Sequence, residues 1–209
     1  ACALLVVSVC VIVLRYPPFL LQPRMWAEES MYYETFFSNP SILDGFDSVV
    51  YPAYYLLISR IVGLLASFVD PANAALVTTL CGLIVLLVPL IIIIFGRSMY
   101  WSAMHQKIIL SAFLIFSCST GEIWMNSTNV GFIMSVVTFL ILIDENPGNY
   151  YKKSLYMLLL FFAILTGPIS LLMSPFFLYR FLQKKEPVYL IYCALFLILG
   201  LFQISYFLF

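Results

Sequence analysis

Long apolar runs separated by short polar stretches dominate the chain, at residues 1–14, 72–95, 106–119, 129–143, 154–166, 169–182 and 188–209. Each predicts a helix. In "LVTTLCGLIVLLVPLIIIIF", Leu76 to Phe95, apolar residues occupy every face, whereas a membrane-barrel strand would set a polar residue at every second position. A further run over 50–69, "VYPAYYLLISRIVGLLASFV", is also apolar but carries Arg60 at its centre. A mid-bilayer arginine costs at least ~2.5 kcal/mol, so this run reads as an interfacial or re-entrant helix, with Tyr51, Pro52, Tyr54 and Tyr55 at the level of the aromatic belt. The competing arrangement is a true span in which Arg60 snorkels to a headgroup.

Composition agrees with the pattern. Of 209 residues, 64% are hydrophobic and 10% charged. The mean hydropathy is +1.06. A water-soluble core with a polar shell cannot support these values, and the recurrence of runs excludes both a lone anchor and a secretory leader ahead of a soluble domain. The expected fold is all-α, a polytopic bundle of membrane helices forming one domain over 1–209. Ala1 opens inside an apolar run and "LFQISYFLF" stops inside another, so the chain is expected to be part of a longer protein, incomplete at both ends.

Charge orients the bundle. If 50–69 does not span, Arg97, Lys107, Lys152, Lys153, Arg180, Lys184 and Lys185 all fall in cytoplasmic loops, and only Arg15, Arg24 and Arg60 lie outside. The segment 15–70 then becomes a long first extracytoplasmic loop with interfacial helices inside it, while every later outer loop is short. In "SLYMLLLFFAILTGPISLLMSPFFLYRFLQKK", two short helices turning at Gly167-Pro168 keep both lysine pairs inside. That turn is expected in a thinned region or a protein-lined cavity that opens outward.

Function is sought in the exceptional loop. "RMWAEES" sets Glu28 and Glu29 side by side, and helical neighbours diverge by about 100°. One carboxylate can face a cavity and accept a proton from a hydroxyl while the other holds it in place. Alternatively both are first-turn acids favoured by the helix dipole. The outer turn "STGEIWMNSTN" packs Glu122, Asn126, Ser127, Thr128 and Asn129 against apolar helices, a set able to bind sugar hydroxyls or a phosphate, or to cap the next helix through Asn129. Five scattered cysteines and one histidine, His105, show no metal-ligand spacing, and "DENPGNYYKK" reads as a tight turn. A net charge of zero gives no reason to expect nucleic acid. No P-loop, dinucleotide fingerprint or HExxH is present, nor any acid or base in the middle of a clear span.

Taken together, "RMWAEES", "PAYYLL", "GEIWMNSTNVGF" and "TGPISLLMSPFFL" resemble motifs of the C-type (GT-C) integral-membrane glycosyltransferases, in particular a group of bacterial inner-membrane members, over essentially the whole chain. The resemblance implies transfer of a sugar from a polyprenyl-phosphate donor to a glycan, lipid or protein acceptor on the periplasmic side, usually with inversion. It implies that Glu28 or Glu29 is the general base, or orients the acceptor and a divalent metal, although no metal site is evident in the residues themselves. Arg24 and Arg60 are expected to pair with the carrier phosphate or to anchor at headgroups, with Trp26, Glu122, Asn126 and Asn129 completing the substrate-binding set. The chain departs from many relatives in having Glu-Glu where they carry at least one Asp. The reading from another class is a non-catalytic transporter or flippase for lipid-linked glycans, or a subunit of an envelope-assembly complex.

Overall fold

Where the apolar runs begin and end, local chemistry starts and stops helices. The computed structural model describes residues 1–39, 41–48, 50, 54–96, 98–117, 125–144 and 149–208. Among these every regular element is helical: α1 (Cys2–Arg15), α2 (Pro18–Leu21), α3 (Ala27–Ser38), α4 (Ile42–Asp47), α5 (Leu57–Ser67), α6 (Pro71–Phe95), α7 (Met104–Ser117), α8 (Val130–Ile143), α9 (Tyr150–Thr166), α10 (Ser174–Lys184) and α11 (Pro187–Leu208), with 3-10 turns at Met99–Trp101 and Pro168–Met173. Asp70 caps α6 by accepting from the Ala72 N–H at 2.9 Å, with Pro71 in the first turn. Asn149 caps α9 in the same way, accepting from the Tyr151 N–H at 3.2 Å. The break expected at Gly167-Pro168 is present. Gly167 is extended, as a residue before proline favours, and separates α9 from the 3-10 turn that leads into α10.

Length separates the helices. Among the described residues, α6 with 25 residues and α11 with 22 are long and apolar enough to cross a membrane, reaching about 37 and 33 Å at ~1.5 Å per residue. Cys2–Arg15, Leu57–Ser67, Met104–Ser117 and Val130–Ile143 are apolar but shorter. The apolar runs therefore located the helices, while fewer of them than expected meet the length of a span.

The helices run back and forth, so their ends sort into two groups. At one end the Arg15 guanidinium donates to Ile115 O, and Gln203 of α11 joins Tyr55 to Ile164 of α9. At the other, Lys107 Nζ donates to Ile94 O at 2.7 Å and Gly96 O at 3.1 Å, and Ser98 Oγ donates to Ile143 O at 3.2 Å. Between the ends lies one core, built on Leu86, Leu90, Ile133, Val137, Leu160 and Phe196. Outward faces are apolar too: Val6, Ile84, Phe113, Leu197, Ile198 and Leu201 are exposed. The segment before α6 folds as α3 against α5, and Gly63 permits the contact, since a Cβ there would meet the Tyr32 backbone at 2.9 Å.

Candidate functional site

The first turn of α3 sends its two carboxylates in different directions. Glu28 is exposed, whereas Glu29 is 2% exposed. Glu29 Oε2 accepts from the Trp26 N–H at 3.0 Å, half of a capping box that fixes the start of the helix, and from Thr78 Oγ1 of α6 at 3.4 Å. Its Oε1 accepts from the Ser127 N–H and from Ser127 Oγ, both at 2.7 Å. Three short donors and the longer contact from Thr78, whose hydroxyl also donates to Ala75 O at 3.0 Å, surround the two buried oxygens of Glu29. Its geometry suits holding three segments together.

The turn it grips is itself organised from within. Asn126 Oδ1 accepts from the Thr128 N–H at 2.7 Å, Thr128 Oγ1 at 2.6 Å and the Asn129 N–H at 3.3 Å, a local Asx-type turn. Ser59 Oγ of α5 donates to Ser127 O at 2.7 Å. Met125 takes a left-handed φ of 50°, uncommon for a residue with a side chain, and its backbone lies so close to α6 that a Cβ on Gly82 would approach Met125 C to 2.4 Å. Asn126 and Ser127 are buried. Asn129 sits half-buried at the N-cap position of α8, but its side chain makes no capping bond. Glu122, expected in this set, lies outside the described residues.

Two concavities flank the Glu29 grip. The larger, about 560 Å³, lies where α1 gives way to α3 and is lined by Tyr16, Phe19, Gln22, Arg24, Met25 and Trp26. Arg24 is exposed there, the one charged side chain in the lining among the described residues. The smaller, about 190 Å³, is bounded by Tyr54, Thr128, Asn129, Phe132, Gly167 and Pro168 among others. Glu29 binds the backbone of Trp26, a wall of the first, and Ser127, the neighbour of Thr128 in the second.

Arg60 does not line either. It is 1% exposed and points inward from α5. Nη1 donates to Gly45 O and Phe46 O at 3.0 Å each, and Nη2 to Ser48 O at 2.7 Å and to the Tyr206 hydroxyl at 2.8 Å. The Tyr55 ring stands 4.4 Å from the guanidinium carbon. Burial raises the Tyr55 phenol above the ordinary tyrosine value; Arg60 opposes that rise, and Tyr206 and Asp47 add to it. The expected place of Arg60 at a carrier phosphate or headgroup is thus replaced by an interior one. Its donors satisfy carbonyls at the end of the short α4, which have no helical partners of their own.

A divalent metal fits poorly. Glu28 and Glu29 diverge, the oxygens of Glu29 are already occupied, and no group of three or more His, Cys, Asp or Glu among the described residues can hold an ion. Sequence reasoning missed Thr78, Ser59, Gln203 and Tyr206, which join distant segments. The signal was isolation: a lone polar side chain in an apolar run needs an internal partner. Gln203 meets that need by accepting from the Tyr55 N–H at 2.9 Å and donating to Tyr55 O and Ile164 O at 3.0 Å each. Comparison with protein-family models, with curated proteins and with solved structures returned no match for this chain.

Proposed function

We propose that the chain is the membrane-embedded part of a glycosyltransferase that takes a sugar from a polyprenyl-phosphate donor at the extracytoplasmic face of a bacterial inner membrane. The observation that carries this reading is the division of the acidic pair, with a buried Glu29 bracing two concavities and an exposed Glu28 beside it. Two helices of spanning length and the apolar outward faces of the shorter ones support a polytopic arrangement in lipid. Lys107 and Lys152, in the first turns of α7 and α9, sit at the end opposite Glu29, which supports an outward-facing site.

In this scheme the Arg24 guanidinium pairs with the donor phosphate in the larger cavity, where Tyr16, Phe19 and Trp26 supply apolar wall for the start of the prenyl chain. Glu28 accepts the proton of the acceptor hydroxyl as that oxygen bonds to the anomeric carbon. The bond from that carbon to the phosphate oxygen breaks, and polyprenyl phosphate leaves with the electron pair, its charge held by Arg24. Glu29 contributes by position alone.

The test is sugar transfer by purified protein in lipid, from a radiolabelled polyprenyl-phosphate sugar to a glycan or lipid acceptor. Transfer should be measurable, and Arg24→Gln should raise the donor KM at least ~10-fold, the loss of about one charged hydrogen-bonding contact. Movement of the lipid across the membrane without transfer would support a carrier instead.

A further inference from the structure

The smaller concavity is made entirely where helices stop. Its walls come from the extended residues before α5, from the turn before α8 and from the break after α9, with Tyr54, Thr128, Asn129, Thr166, Gly167 and Pro168 facing it. Its floor depends on two glycines in contact. A Cβ on Gly131 would approach Thr166 O to 3.2 Å, and one on Gly167 would lie 3.5 Å from the Gly131 Cα. Pro168 offers no N–H, so α9 ends with its last carbonyls lacking helical donors. Of these, Ile164 O accepts from Gln203, while the Thr166 side-chain hydroxyl accepts from the Ile58 N–H at 3.4 Å.

The lining has a definite chemical character. Phe132 and Tyr54 offer aromatic surface; Asn129 offers an amide and Thr128 a hydroxyl; among the described residues no charged side chain takes part. A phosphate would find no cation among the described residues here, and the volume of about 190 Å³ is below that of sites for drug-sized ligands, roughly 300–1,000 Å³. An uncharged single ring with one apolar face and several hydroxyls meets these surfaces. We propose that this cleft binds one pyranose ring, the apolar face of the sugar against the aromatics and its hydroxyls toward Asn129, Thr128 and the backbone at 166–167. The proposal rests on the glycosyl-transfer reading for the origin of that ring, which is either the donor's sugar or the acceptor's terminal sugar.

The experiment uses the whole chain in lipid nanodiscs, with two variants of the cleft. Asn129→Ala removes the amide. Gly167→Ala adds a methyl group at ordinary van der Waals distance from Gly131, in an extended backbone that any residue adopts, so it narrows the floor without strain. Binding of a panel of methyl glycosides is followed by saturation-transfer NMR, and initial rates are measured with donor and acceptor varied separately. Wild-type protein should bind at least one glycoside, and each variant should weaken that binding ~10-fold or more while unfolding at the wild-type midpoint. In the rate assay one KM should rise with kcat nearly unchanged: a higher donor KM identifies the ring as the donor's, a higher acceptor KM as the acceptor's. Glu34→Gln, on the exposed face of α3, should change neither. Transfer with both KM values unchanged in Asn129→Ala and Gly167→Ala overturns the cleft and leaves the glycosyltransferase reading standing. Glycoside binding that depends on Asn129, without transfer by the wild type, keeps the cleft and removes that reading. Absence of glycoside binding and of transfer removes both.

Discussion

Among the described residues each end of the bundle buries one carboxylate, and the two are held in opposite ways. Glu29 is gripped by neutral donors from Trp26, Thr78 and Ser127, the last two 49 and 98 residues away. Asp144, 0% exposed, is held locally: Lys152 Nζ stands 2.6 Å from Oδ2, the Tyr156 hydroxyl donates to the same oxygen, and both partners lie within 12 residues. The other oxygen, Oδ1, is buried and has no partner among the described residues. The contrast assigns the two acids different work. Asp144 staples a hairpin between α8 and α9, whereas Glu29 closes a long loop onto a later turn and so fixes surfaces that neither segment forms alone.

If that contrast holds, the Glu29 end should be the more sensitive to losing a buried polar side chain. The largest effect is expected at Arg60, which ties α4, α5 and α11 together there. Arg60→Ala should cost about 3–5 kcal/mol, from lost charged hydrogen bonds and the cavity left behind, measured by denaturant unfolding in detergent. Arg60→Lys should recover only part of it, because one ammonium cannot span four acceptors. Asp144→Asn should cost about 1 kcal/mol, since the amide oxygen still accepts from Tyr156 and the Lys152 it abandons is 27% exposed and screened. Comparable losses at Arg60 and Asp144 would break the comparison. A finer test sets the ends on their two sides of a membrane: cysteine placed at Ser48 should react with an impermeant thiol reagent added outside, and cysteine at Asn149 should not. Equal labelling would remove the outward-facing site.

Helix positions were legible because apolar runs report them directly, and the break at Gly167-Pro168 because proline restricts its neighbour. The divergence of Glu28 and Glu29 was legible from helical geometry as well. Which of them is buried was not, since that is decided by Thr78 and Ser127, whose proximity arises only when α3 docks on α5 beside the turn at 125–129. Arg60 was misplaced for the same reason. Its acceptors belong to the short α4 and to Tyr206, 146 residues on, and a charge in an apolar run looks like a membrane anchor until an interior partner is found. The burial of Asp144 was not legible in the turn "DENPGNYYKK" either, because it depends on Tyr156, which lies less than two turns along the next helix.

The central claim, that Glu28 performs chemistry and Glu29 architecture, is tested most directly by measuring turnover and unfolding free energy together for Glu28→Gln and Glu29→Gln in the same lipid. Glu28→Gln should unfold within about 1 kcal/mol of the wild type, because an exposed first-turn acid contributes only a small dipole term, and should lose ~10²-fold or more in kcat. Glu29→Gln should lose about 1–3 kcal/mol, its amide setting a donor against the donors of Trp26 or Ser127. Full turnover in Glu28→Gln, or unchanged stability in Glu29→Gln, would contradict the account.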